Sequence, residues 1–305
     1  MVRTLLCSLA FLLAPLSSPA APEDPLKDAR RVVFLGDSIT AGGHYIVLLD
    51  AALRATHPDA EFINLGLPSE GVTGLSEPKH PFPRPNLHER LDRALAKAKP
   101  DVVFACYGMN DGIYYPFSEE RFAKYQAGIN TLIEKVSKQG ARLILLSPPP
   151  FDPLPFRKKG KLLPVDAPEF SWTGIYEDYD RAVIARYARW VLAQKERTTA
   201  CLDLHGPITA SVAKRRETDP DFALSGDGVH LDNEGHRLIA DTIHRGLYAQ
   251  PLPEIPEATL ELVAAQHKIL VPAWLTHVGH KRPGGKPGLP LPEARTKAAA
   301  LAAAE

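Results

Sequence analysis

The sequence predicts an α/β fold of three layers, α/β/α, built on a five-stranded parallel sheet and followed by a carboxyl-terminal helical extension. Three observations predict it. Short runs rich in β-branched and aromatic residues recur at Val32–Leu35, Glu61–Leu65, Val102–Tyr107, Leu143–Leu146 and Ala200–Leu204. Helix-like stretches separate them, at about 44–56, 87–98, 119–138 and 176–196, with a last one at 233–248. The glycines and the chemically versatile side chains gather in the loops after the strands, where parallel sheets bind their ligands.

The chain opens with a basic start at Met1-Val2-Arg3, an apolar run from Leu5 to Leu16 and small residues at Ser18-Pro19-Ala20. That pattern reads as a secretory signal over residues 1–20, too short for a permanent span, and it contains Cys7. The expected product begins near Ala21 and is secreted or periplasmic, with a main domain over 21–250 and an extension over 251–305.

The first strand leads into the stretch that organises the rest, Val32-Val33-Phe34-Leu35-Gly36-Asp37-Ser38-Ile39-Thr40. Gly36 ends the strand in a tight turn that opens a helix, so Ser38 sits where free helix N–H groups point. Those groups suit an oxyanion formed beside the hydroxyl, which makes Ser38 a candidate nucleophile; Asp37 or Ser38 equally suits a helix cap. The second strand runs into Asn64-Leu65-Gly66-Leu67-Pro68-Ser69-Glu70-Gly71-Val72-Thr73, whose glycines let backbone approach a ligand. Residues 90–97 are amphipathic, and Ser118 before Glu119-Glu120 caps the next helix. Between these helices, the third strand ends in Gly108-Met109-Asn110-Asp111-Gly112, a pattern that also serves as plain turn chemistry. Before the last core helix stands Gly226-Asp227-Gly228-Val229-His230-Leu231-Asp232-Asn233. An Asp three residues before a His lets the carboxylate hold Nδ1–H while Nε2 faces a nucleophile.

Other patterns carry less. Asp241 and His244 repeat the spacing, but on a helix whose apolar face is Leu238, Ile239, Ile243 and Leu247, which assigns the pair to the solvated side. Ser211-Val212-Ala213-Lys214 mimics a serine–lysine motif without the partner motifs. No Gly-x-Ser-x-Gly elbow, Walker-A or His-Glu-x-x-His pattern is present, and no cofactor or metal site is expected. With 36 basic and 36 acidic residues the chain has no excess charge for nucleic acid, and no second long apolar run for a membrane anchor. Cys106 and Cys201 lie in apolar runs and read as buried small hydrophobes instead of a disulfide framework. The 29 prolines cluster at 78–85, 148–155 and 283–292, marking loops.

Taken in order, Gly-Asp-Ser, the glycine-bearing second block, Gly-x-Asn-Asp and Asp-x-x-His resemble the SGNH (GDSL-type) hydrolase family over roughly residues 31–248. The resemblance implies an SGNH-type fold with flavodoxin-like strand order. It implies Ser38 as nucleophile, His230 as general base and acid, and Asp227 as its orienting carboxylate. It also implies an oxyanion hole from the Ser38 N–H, a second-block glycine N–H and the Asn110 side chain. The glycine maps to Gly71, with Gly66 as fallback, because this block carries an extra residue and lacks the family's Asp.

Long loops at 66–87, 111–118, 148–175 and 205–232 bring Tyr114, Tyr115, Phe151, Phe156, Trp172 and Tyr176 with Arg157, Lys158, Lys159 and Lys161. Aromatic and polar side chains together suit sugar rings, or else pack the loops down. The expected activity is carbohydrate O-deacetylation on a small or polysaccharide ester. The alternatives are a lysophospholipase or short-chain esterase, and a non-catalytic carbohydrate-binding protein. In the extension, Glu257–Leu270 reads as a helix of about 21 Å that returns Trp274 to Pro283 to the catalytic rim, while the alanine-rich end after Arg295 looks peripheral. Substrate contacts are expected from Asp37, Tyr114, Trp172, His280, Lys281 and Arg282.

Overall fold

The computed structural model describes residues 24–302, and the expected secretory signal lies outside the described residues. The strands are β1 (Arg31–Gly36), β2 (Glu61–Asn64), β3 (Val102–Cys106), β4 (Arg142–Leu146), β5 (Leu162–Leu163), β6 (Ile175–Tyr176) and β7 (Ala200–Leu202). Five of them form one parallel sheet in the order β2-β1-β3-β4-β7, the expected flavodoxin-like arrangement, and β5 pairs with β6 apart from it. The helices are α1 (Ser38–Gly42), α2 (His44–Leu53), α3 (Leu87–Ala98), α4 (Glu119–Lys138), α5 (Pro153–Lys158), α6 (Ala185–Leu192), α7 (His205–Arg216), α8 (Asn233–Tyr248), α9 (Glu257–Val278) and α10 (Leu291–Ala302).

The sheet is buried on both faces, and β1 shows why its sequence is apolar without alternation. Val32 and Phe34 join a core with α2 and α8, while Val33 and Leu35 join a second core with α3, α4 and α6. Phe34 stacks on Phe104 at 4.7 Å and on Phe62 at 6.0 Å, tying β1 to both its neighbours, β3 and the edge strand β2. Helix starts follow the sequence: Asn86 caps α3 by accepting from His88 N–H, and Ser118 caps α4 by accepting from Arg121 N–H. Among the described residues no helix is long and apolar enough to cross a membrane.

Three stretches depart from expectation. The helix expected at 176–196 starts later: Tyr176 belongs to β6, and a π-helical turn over Asp180–Ile184 feeds α6. The expected loop at 205–232 begins with the helix α7, which buries only Ile208 and so lacks an apolar stripe to announce it. α9 does not stop at Leu270 but continues through Pro272 to Val278. An interior proline costs about 3 kcal/mol; burial of Ala273, Trp274 and Val278 beyond it offsets that cost.

The extension is bound to the sheet's edge. His267 of α9 meets Asp50 of α2 at 2.8 Å. Glu61 of β2 accepts from Trp274 Nε1 at 3.0 Å and pairs with Arg295 of α10 at 2.8 Å, so the alanine-rich end is anchored.

Candidate active site

β1 delivers the chain to Gly36, where an added Cβ would lie 2.9 Å from the Cys106 carbonyl and overlap Thr40. Only glycine permits that close turn into α1. Asp37 is the N-cap, its Oδ1 accepting from Ile39 N–H at 2.9 Å, and Ser38 is the first helical residue. Its N–H therefore has no intrahelical acceptor. His230 Nε2 lies 2.8 Å from Ser38 Oγ, and His230 Nδ1 lies 2.7 Å from Asp227 Oδ2. Asp227 Oδ1 accepts from the N–H groups of Val229 at 3.0 Å and His230 at 2.8 Å, and from the Ser225 hydroxyl at 3.0 Å.

The electrostatics suit a proton relay. Burial works to raise the Asp227 carboxyl, but the His230 ring and the amides of His230 and Val229 outweigh it and hold it well below the usual carboxylate range. The hydrogen bond that His230 Nδ1–H donates to Asp227 lifts His230 above the 6.5 of a free imidazole, against its partial burial. Beneath them, burial pushes Asp37 up to about 7 and Asp111 up to about 6.

Asn110 lies beside this row with its amide oriented from both ends. Its Oδ1 accepts from Arg84 Nη1 and from the Tyr114 hydroxyl, each at 2.9 Å. Its Nδ2 donates one hydrogen to the Glu70 carbonyl at 3.0 Å, leaving the second for the cavity it lines.

The glycine assignment changes. Gly71 N–H donates to the Pro85 carbonyl at 3.1 Å, so it is engaged in structure and is not a donor to the site. Gly66 N–H donates to Asn64 Oδ1 at 2.8 Å, and Gly66 is glycine because a Cβ would approach Thr40 C to 2.6 Å. The open amide of this block belongs instead to Ser69. Residues 67–70 form a turn closed by Glu70 N–H to Leu67 O at 3.1 Å, with Pro68 second and Ser69 third at φ 69°. Ser69 lines the cavity, and its N–H meets no acceptor among the described residues. A search for glycine overlooks it; the signal was the Pro-Ser step, since a turn of this type sets its third residue at positive φ.

Two buried ion pairs fix this wall. Arg84 grips Glu77 with two bonds of 2.6 Å, and Arg90 grips Glu70 with two of 2.7 Å. Tyr107 OH donates to Glu70 Oε2 at 2.7 Å, and Arg90 Nη2 also donates to the Leu65 carbonyl at 2.7 Å.

The cavity over Ser38 measures about 430 Å³. Of the expected substrate contacts, Trp172 and Arg282 line it, and Trp172 is exposed. Tyr114 lines it too, although its hydroxyl is committed to Asn110. The others are corrected. Asp37 is 4% exposed and outside the lining, spent on the helix cap. Lys281 points outward to Glu89 at 3.5 Å, and His280 lies outside the lining with Nδ1 buried and unpaired. Phe151 is a buried packing residue, whereas Phe156, also buried, reaches the cavity lining.

The Asp241 and His244 pair stands apart from the site, yet His244 is buried and not solvated as its spacing suggested. Its Nδ1 contacts the Gln250 carbonyl at 2.9 Å, because the chain after α8 folds back over it. Among the described residues, no three His, Cys, Asp or Glu side chains gather as a metal-binding group.

Comparison with known proteins agrees with this architecture. The model of the GDSL-like lipase/acylhydrolase family matches residues 34–238. Among solved structures, a gut microbial diltiazem-metabolizing enzyme is 22% identical with a TM-score of 0.55, covering 75% of this chain and 49% of its own. The chain thus spans about half the length of that enzyme. The acetyl xylan esterase AlAXEase is 22% identical with a TM-score of 0.51, covering 70% of this chain and 97% of its own. Axe2, an acetylxylan esterase from Geobacillus stearothermophilus, is 21% identical with a TM-score of 0.51, covering 72% and 94%. No curated protein sequence matches.

Proposed function

The chain belongs to the GDSL-like lipase/acylhydrolase family and is an ester-bond hydrolase; from that premise we propose that it is a secreted serine esterase that removes acetyl groups from carbohydrates. Ser38 is the nucleophile, His230 the general base and then acid, and Asp227 the carboxylate that orients the imidazole. The observation that carries this reading is the continuous row Ser38 Oγ, His230 and Asp227 at 2.8 and 2.7 Å, beside unclaimed donors.

As Ser38 Oγ attacks the ester carbonyl, its proton passes to His230 Nε2, and Asp227 stabilises the imidazolium that forms. Negative charge on the carbonyl oxygen is met by the Ser38 and Ser69 amides and Asn110 Nδ2, donors held in place before the reaction. His230 returns the proton to the departing sugar hydroxyl, leaving an acyl-enzyme. A water deprotonated by His230 then attacks the acyl carbon, and carboxylic acid and free Ser38 result. The carbohydrate reading draws support from exposed Trp172 at the cavity, a face on which a sugar ring stacks. The names of the two xylan esterases also support it, and secretion rests on the amino-terminal apolar run. The test is acetate release from acetylated xylo-oligosaccharides, with p-nitrophenyl acetate alongside. Ser38-dependent turnover of both is expected. Binding of the oligosaccharide with no turnover of either ester would favour a non-catalytic carbohydrate-binding protein.

A further inference from the structure

We propose that the natural substrate carries a carboxylate close to its ester, as in an O-acetylated uronate-containing oligosaccharide, and that Arg282, Lys159 and Lys161 bind that carboxylate. This deepens the esterase reading above and rests on it. The protein as a whole has no net charge, but its cavity does. Four basic side chains line it, Arg84, Lys159, Lys161 and Arg282, against a single carboxylate, Asp227, which is engaged by His230. Arg84 is matched directly by Glu77. The other three meet no carboxylate among the described residues.

The contrast with their immediate neighbours is informative. Lys158 pairs with Asp221 at 2.8 Å and Lys281 approaches Glu89 at 3.5 Å, both outside the cavity. One residue further along each segment, Lys159 and Arg282 face the cavity without an acidic partner. Charge is neutralised where it meets solvent and left open where it meets substrate. A cleft lined by one sign of charge concentrates ligands of the other.

Two of these cations are also anchored to the reacting loops. Arg282 Nε donates to the Pro68 carbonyl at 2.9 Å and Nη1 to the Pro283 carbonyl at 3.1 Å, with the guanidinium 5.3 Å from the Phe82 ring centroid. Its Nη2 meets no acceptor among the described residues, so the fork is oriented before a ligand arrives. Pro68 adjoins Ser69 in the same turn. Lys159 Nζ donates to the Gly226 carbonyl at 2.7 Å, and Gly226 adjoins Asp227. A carboxylate held by these groups therefore registers the sugar against the Ser69 amide and the His230 loop together. Arg282 lies beyond residue 238, where the family match ends, so the extension adds one cation to the two that the matched region supplies.

The test compares acetate release from an O-acetylated oligogalacturonide with release from the same oligomer after methyl esterification of its carboxylates. The free acid is expected to show about tenfold higher kcat/KM at low ionic strength, with the gap closing near about 1 M salt. Arg282→Gln and Lys161→Gln should each cut that ratio severalfold, the double variant should bring it near one, and Arg282→Lys should keep most of it. Lys281→Gln, outside the cavity, should leave the ratio unchanged. Should Arg282→Gln fail to fold, the exposed Lys161→Gln carries the test. Equal rates on both oligomers, or equal losses on both in the variants, would overturn the proposal. So would preference for an acetylated, sulfated neutral oligosaccharide over the uronate. Loss of Ser38-dependent p-nitrophenyl acetate hydrolysis would instead sink the esterase reading itself, which keeps the two failures apart.

Discussion

The two walls of the site are built by opposite rules. The wall carrying Ser69 and Asn110 rests on ion pairs taken wholly out of water: side-chain exposures are 3% and 0% for Arg84 and Glu77, and 1% and 0% for Arg90 and Glu70. The wall carrying His230 and Asp227 is half open, at 53% and 45%. Donors to an oxyanion act through position, so a network that leaves them no freedom favours the transition state. A base that trades protons with water twice per cycle has the opposite need, and its loop stays wet. One wall spends folding energy on rigidity; the other keeps its proton traffic open.

Where the walls meet, Ser38→Ala should remove about 10⁴-fold or more of kcat with the fold intact, measured on p-nitrophenyl acetate with circular dichroism as control. Near-normal turnover would break the assignment of either wall to catalysis. The sharpest contrast pits Glu77→Ala against Asp227→Asn. Removing Glu77 strands a buried guanidinium and should cost about 3–5 kcal/mol in urea unfolding. Asp227→Asn, at an exposed pair, should cost under about 1 kcal/mol of stability while lowering kcat severely. Equal stability losses would erase the distinction between the walls.

Asn110→Ala should lower kcat by about 10²–10³ with little change in KM, since its free hydrogen acts on the developing oxyanion. A change confined to KM would make it a ground-state contact. The smallest effect is on pH. His230 must be neutral to act as base, so kcat/KM should rise with pH through its pKa, and the hydrogen bond it donates to Asp227 places that midpoint above 6.5. In Asp227→Asn the residual activity should show the midpoint moved to lower pH, because the group that raises His230 is gone. A profile flat between about pH 5 and 8 would contradict the relay.

The strands and the Asp227–His230 half of the relay were legible in the sequence because each is written in a short local run. A run such as Val32–Leu35 declares a doubly buried strand, and Asp227 lies three residues from His230. The supports of the donor wall were not legible. Arg84, Glu77 and Asn110 are joined only by the fold, and the proline-rich stretch from 78 to 85 reads as surface loop although its arginine is buried. Ser69 was hidden by its identity, since a non-glycine residue at φ 69° is fixed by the turn around it and not by its own preference. α7 was missed for want of an apolar stripe, and the continuation of α9 because packing outweighed a proline.

The anchoring of the extension on β2 also has a consequence in time. Some 190 residues separate β2 from α9, which at about 5–20 residues per second is an interval of about 10–40 seconds of synthesis. Throughout it β2 is an edge strand without the helices that stand against it, and open edges invite pairing with other chains. The same late segment brings Arg282. A polypeptide cut short before α9 therefore lacks, in one stroke, the cover of its sheet and one of the three cations assigned to its substrate, so an incomplete chain is marked for aggregation before it can act as a less selective enzyme.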